Sequence, residues 1–129
     1  MISRLQPYAY AALRIVAGAL FTLHGLQKVF GLFGSRAVDV TSMLGAAGVI
    51  ETIAGPLIAI GLLTRPVAFL VSGEMAVAYF RSHYPRGPWP IANGGELAVL
   101  FCFLFLYVSM AGPGLLSVDG FRRRGGWAR

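Results

Sequence analysis

The stretch Val49-Ile50-Glu51-Thr52-Ile53-Ala54-Gly55 sets a carboxylate near the middle of an apolar run from Gly45 to Leu63. An ionised Glu in such a run costs roughly 2.5–3.5 kcal/mol even on mild membrane-insertion scales. It therefore needs a cationic partner, a proton or a ligand. The rest of the chain has the composition of a protein solvated by lipid. Of 129 residues, 57% are hydrophobic and 12% charged, and mean hydropathy is +0.70, whereas a soluble domain carries about 25% charged residues. A membrane span takes about 20 residues, so one domain over residues 1–129 has room for four. The expected fold is all-α, an integral membrane four-helix bundle with spans near residues 9–33, 45–63, 66–83 and 93–111.

Outward from Glu51, Gly45, Gly48 and Gly55 share its helix face, and Pro56 removes a backbone donor one turn later, where a kink is expected. In the first span Arg14, Phe21, Gly25 and Lys28 fall within about 60° of one another at helical spacing, with Gly18 alongside and His24 at the edge. Glycines on that stripe let a neighbouring helix come close. The charges Arg14, His24 and Lys28 also argue against a cleaved signal peptide, and Met1 to Tyr8 reads as a short tail with Pro7 in a first helical turn. Fifteen apolar residues after Pro66 reach only about 22 Å, so the third span is expected to extend through Arg81-Ser82-His83, with Glu74 near its centre. The prolines of Tyr84 to Pro90 predict a loop without regular structure. The fourth span opens at Asn93-Gly94-Gly95-Glu96, with Asn93 as a cap, and stops at Gly112-Pro113-Gly114.

The arginines set the orientation. Arg4, Arg65, Arg122, Arg123, Arg124 and Arg129 fall on one side and Arg36, Arg81 and Arg86 on the other, which places both termini in the cytoplasm and the protein in a cell (inner) membrane. The net charge of +6 thus reads as topology, and nucleic acid is not an expected partner, because no soluble basic face is available. Lone Cys102 forms neither an internal disulfide nor a redox pair.

With this topology His24, Lys28, Glu51 and Glu96 share the outer half, below Arg81 and His83, and Glu74 is a candidate proton site near mid-depth. Two readings stand. In one, Lys28 pairs with Glu51 or Glu96 and merely specifies packing of a structural or assembly protein. In the other, the four residues line a polar pocket that hydrogen-bonds a lipid-soluble ligand such as a quinone. A small transporter would need a water path through Glu74, and no inverted repeat supports one. Arg14 has no carboxylate at its depth. It is expected to pair with Asp119 folding back from the C-terminal tail, to bind carbonyls freed at Gly112 to Gly114, or to snorkel to the surface. His24 with Glu51 and Glu96 has no ligand spacing, so no metal is assigned. The triplet Arg122 to Arg124 reads as a stop on anionic lipid. No phosphate loop, nucleophile arrangement or dinucleotide fingerprint is present, and no residue is given a catalytic role.

From Ala12 to Gly120 the chain resembles the DoxX family of small membrane proteins. The resemblance rests on Arg14 followed by Gly25-Leu26-Gln27-Lys28, on Glu51 with Gly55, and on the Gly61-Leu62-Leu63-Thr64-Arg65 turn. It continues through Met75, Ala78, His83, Asn93-Gly94-Gly95-Glu96-Leu97-Ala98, Gly112-Pro113-Gly114 and Ser117-Val118-Asp119. Glu74 is not matched to the family pattern. The resemblance implies four transmembrane helices and a quinone-linked redox setting, as a subunit of an oxidoreductase or a partner of oxidative-stress enzymes. With no redox-active cysteine pair and no haem pair, this chain is expected to depend on a membrane or peripheral redox partner for electrons. Its apolar surface and glycine-rich faces also fit a homodimer.

Overall fold

The structure, a computed structural model, describes residues 1–125. Arg129, counted in the charge balance above, lies outside the described residues. Among these, every regular element is helical: α1 (Ile2–Phe30), α2 (Met43–Ile60), α3 (Thr64–Ala78), α4 (Pro90–Asn93), α5 (Glu96–Ala111) and α6 (Val118–Arg124). Among the described residues only α1 and α2 are both long and apolar enough on their own to cross a membrane. The end of α3 widens into a π-helical turn, Tyr79–His83, closed by the Tyr84 N–H on the Tyr79 carbonyl.

The boundaries follow local chemistry. Gly31 ends α1 in a left-handed conformation, φ 66°, which glycine adopts without steric cost. Ser42 opens α2 by accepting the Gly45 N–H on its Oγ at 3.0 Å. Gly61, φ 71°, closes it. α1 starts earlier than the expected tail allows, with Pro7 inside the helix rather than at its start. α2 runs through Pro56 without a break. The proline-rich loop is more regular than expected: Tyr84–Arg86 forms a 3₁₀ turn and Pro90 opens α4, because a proline at the first helical positions gives up a donor that has no partner there anyway.

α1, α2, α3 and α5 all contribute to one core, which includes Phe21, Ile58, Val71, Met75, Phe101 and Phe105. Phe101 and Phe105 stack at 5.4 Å, and Phe21 meets Phe105 edge-on at 5.0 Å, which ties α1 to α5. Outside this core the surface is apolar: Phe69, Leu70, Leu100 and Phe103 are all exposed, a pattern that water does not tolerate over so large an area.

The glycine stripes meet where the sequence places them. A Cβ on Gly18 would stand 2.6 Å from the Ala59 nitrogen, and one on Gly25 would stand 2.8 Å from the Gly48 carbonyl oxygen. Both obstacles are backbone, so neither yields by a rotamer change. Gly25→Ala is expected to lower stability by about 1–3 kcal/mol, the range for overpacking, read as a lower unfolding midpoint in detergent. An unchanged midpoint would mean that α1 and α2 do not lie this close.

Candidate functional site

At one end of the molecule the buried polar groups are largely committed to structure, the Arg14 Nε being an exception among the described residues. Arg14 has 0% exposure. Its Nη1 donates to the carbonyls of Ile58 and Ala59 at 2.8 and 2.6 Å, and its Nη2 to those of Leu115 and Leu116 at 3.0 and 2.9 Å. A guanidinium thus caps the C-terminal, partially negative end of α2 and pins the returning tail. The expected Arg14–Asp119 pair does not form, and the carbonyls used lie beside, not within, Gly112 to Gly114. Asp119 instead accepts the N–H groups of Leu63 and Thr64 at 3.1 and 2.9 Å, and the Thr64 hydroxyl at 3.0 Å. It supplies from the tail the cap that α3 lacks locally. Burial pushes the Asp119 carboxyl up, but these donors, with Arg123 beyond them, outweigh it and hold the group below its ordinary range.

Arg65, read from the sequence only as a turn charge, repeats the Arg14 device. Its Nη1 donates to the Ser109 and Met110 carbonyls at the end of α5, across the same sequence separations, 44 and 45 residues, that Arg14 spans to Ile58 and Ala59. The hairpin α1–α2 and the pair α3–α5 are therefore built on one plan. The shared spacing of Arg14 to Gly61 and Arg65 to Gly112 was the available signal.

Toward the other end the polar groups are not all satisfied. Lys28, in the last turn of α1, reaches Glu51 on α2 with Nζ 2.5 Å from Oε1. The stem of Lys28 lies over Gly48, whose missing side chain makes room for it. Glu51 is 1% exposed, and its second oxygen has no partner among the described residues. His24, one turn before Lys28, is edge-on to Phe101 at 6.1 Å and lies within electrostatic range of Glu51. Glu74 on α3 has both carboxylate oxygens buried and without a partner among the described residues, within range of Glu51 and Lys28. Glu96 lies outside this set. It is exposed in the first turn of α5, where its charge suits the helix N-terminus.

Glu74 lines a groove of about 1160 Å³ between α2 and α3. The walls are apolar, among them Ile50, Phe69, Leu70 and Val77, and Arg81 and Ser82 stand at one end. Gly73 leaves open space beside Glu74. Sequence reasoning could place Glu74 at mid-depth, but not on this groove, because the gap arises from how far α2 and α3 diverge. Asn93 is also more than a cap. Buried, it accepts the Gly95 N–H and donates to the Gly87 carbonyl and the Tyr79 hydroxyl, so it knots the loop before α5 onto the π turn. Among the described residues, no three His, Cys, Asp or Glu side chains come together as a metal-ligand set.

An apolar exterior over a helical core that buries an arginine and two glutamate carboxylates, with a half-buried lysine on one of them, defines a small helical membrane protein with a polar interior. The DoxX family model matches residues 9–84, and the chain belongs to the DoxX family. A Haemophilus influenzae protein described as "Uncharacterized protein" is 42% identical over 125 residues, covering 92% of this chain and 93% of its own length. A Mycobacterium tuberculosis protein described as an uncharacterized membrane protein is 27% identical, covering 88% of this chain and 80% of its own. The Bacillus subtilis protein named "Putative oxidoreductase CatD" is 26% identical, covering 88% and 86%. No solved structure matches the chain significantly.

Proposed function

We propose that the protein spans the inner membrane as a four-helix bundle, both termini in the cytoplasm, and serves a quinone-linked redox system as its quinone-binding or accessory subunit. The observation that carries the proposal is the groove between α2 and α3, lined in part by Glu74, whose carboxyl is buried just behind the wall with no hydrogen-bond partner among the described residues. A buried polar group without a partner costs about 1–3 kcal/mol, so its retention argues for a ligand that satisfies it. A quinone suits the groove: a flat apolar ring, carbonyl oxygens that accept hydrogen bonds, and an apolar tail that extends between helices into lipid. The volume exceeds the roughly 300–1,000 Å³ of a drug-sized pocket, as a tailed ligand requires. On this proposal the Glu74 side chain turns from its buried position into the groove and, carrying a proton, donates to a ring oxygen, while the nearby Lys28–Glu51 pair sets the local field. The relative named as an oxidoreductase supports the redox setting. A quinone supplies two-electron carrier chemistry when bound, and the electrons come from a partner protein.

A second reading rests on the Lys28–Glu51 pair itself, in which a half-buried lysine bonds the buried Glu51 through Oε1. On that reading the pair specifies how α1 meets α2, and the protein helps to assemble a complex. Quinone extracted from protein purified in mild detergent separates the two. The proposal expects near-stoichiometric quinone in the wild type and roughly a tenfold loss in Glu74→Leu, the scale of one charge-free buried hydrogen bond. Quinone absent from a folded wild type, or equally retained by Glu74→Leu, leaves the assembly reading standing.

A further inference from the structure

At the arginine-rich end a second concavity, about 470 Å³, lies between the first turns of α1, the end of α5, the 113–115 loop and α6. Gln6, Tyr10 and Tyr107 line one side, and Arg123 and Arg124 the other. Tyr10 and Tyr107 meet edge-on at 5.9 Å, so the lining combines aromatic surface with two guanidinium groups. The charges around it are already allocated. Arg14 and Arg65 cap helix ends, and Asp119, the acid nearest in sequence, is held by α3. Among the described residues, Arg123 and Arg124 have no hydrogen-bonded or ion-paired partner of their own.

We infer that this concavity binds the phosphate headgroup of an anionic phospholipid, with Arg123 and Arg124 on the phosphate and Tyr10 and Tyr107 against the glycerol. Guanidinium forks match phosphate oxygens. The flanking residues select a lipid over free phosphate. Leu116 and Phe121, 72% and 78% exposed, stand on either side of Ser117 and the start of α6. They make that segment an interfacial one, with apolar groups for the acyl boundary and arginines for the headgroups. The site shares no lining residue with the α2–α3 groove and does not depend on what that groove holds.

The test is native mass spectrometry of the full chain in detergent, titrated with phosphatidylglycerol or phosphatidylcholine of the same acyl chains. Phosphatidylglycerol is expected to bind preferentially. The double variant Arg123→Ala/Arg124→Ala is expected to weaken it roughly twenty-five-fold, at about fivefold for each arginine near an anionic surface. Arg122→Ala, outside the concavity, is expected to change it much less. Both variants are surface changes, and unfolding midpoints equal to wild type confirm that any loss is local. Equal binding of the two lipids would overturn the inference. So would an Arg122→Ala loss as large as that of the double variant, which would mark diffuse charge rather than a site. Displacement of phosphatidylglycerol by millimolar inorganic phosphate would overturn the choice of lipid as the ligand.

Discussion

Arg14→Leu is expected to lower stability by roughly 4 kcal/mol or more, at about 1–3 kcal/mol for each buried carbonyl left unpaired. Four carbonyls lose a donor, and among the described residues only that of Ile58 retains a backbone partner, the Gly61 N–H. Leucine fills part of the volume and offers nothing to the Ala59, Leu115 and Leu116 oxygens. The loss should be felt at two places at once, because the same guanidinium joins the end of α2 to the segment before α6. Arg14→Lys keeps the charge but not the fork, and should recover part of the loss. Denaturation in mixed micelles reads the effect. A Leu variant as stable as wild type would mean that the carbonyls are satisfied without Arg14 and that its burial is incidental.

Lys28→Ala should cost about 3–5 kcal/mol, the range for removing one partner of a buried ion pair. Glu51 would be left at 1% exposure with neither oxygen bonded. Lys28→Met with Glu51→Leu should regain most of that loss, because apolar residues of similar size replace a buried pair at little cost. A double-mutant cycle isolates the coupling between the two side chains. Coupling near zero would contradict the close pair between α1 and α2. The double variant also serves the functional question: with the pair gone and the fold retained, any change in ligand content belongs to the field that the pair sets up, not to unfolding.

Much of this architecture can be read from residue order, for definite physical reasons. The pair Lys28–Glu51 is legible because each residue sits on a glycine-marked face at matching depth. Gly18 and Gly25 show how closely the helices approach, since only small residues permit it. Glu96 shows the limit. Its depth matches Lys28, but depth and helical phase do not say which helix it faces, and the structure leaves it exposed. The partners of Arg14 are backbone carbonyls, which carry no residue identity and so leave no mark in the sequence. α6 was open to discovery from Ser117 as an N-cap, Asp119 in the first turn and Arg122 to Arg124 in the last, a pattern that suits the helix dipole. Its fold-back onto α2 and α3, through the Asp119 N–H on the Gly61 carbonyl at 2.9 Å, is a tertiary event. The groove beside Glu74 is likewise a property of helix divergence, visible only once α2 and α3 are placed.

The central claim is that the groove between α2 and α3 holds a quinone against Glu74. A photoreactive azidoquinone, crosslinked to the protein in lipid nanodiscs and mapped by peptide mass spectrometry, tests it most directly. The account predicts label on α3 around Phe69 to Val77 and on α2 around Ala46 to Ile50, displaced by unlabelled quinone and reduced roughly tenfold in Glu74→Leu. Label spread evenly over the lipid-facing surfaces of all helices, undiminished by competitor, would contradict it.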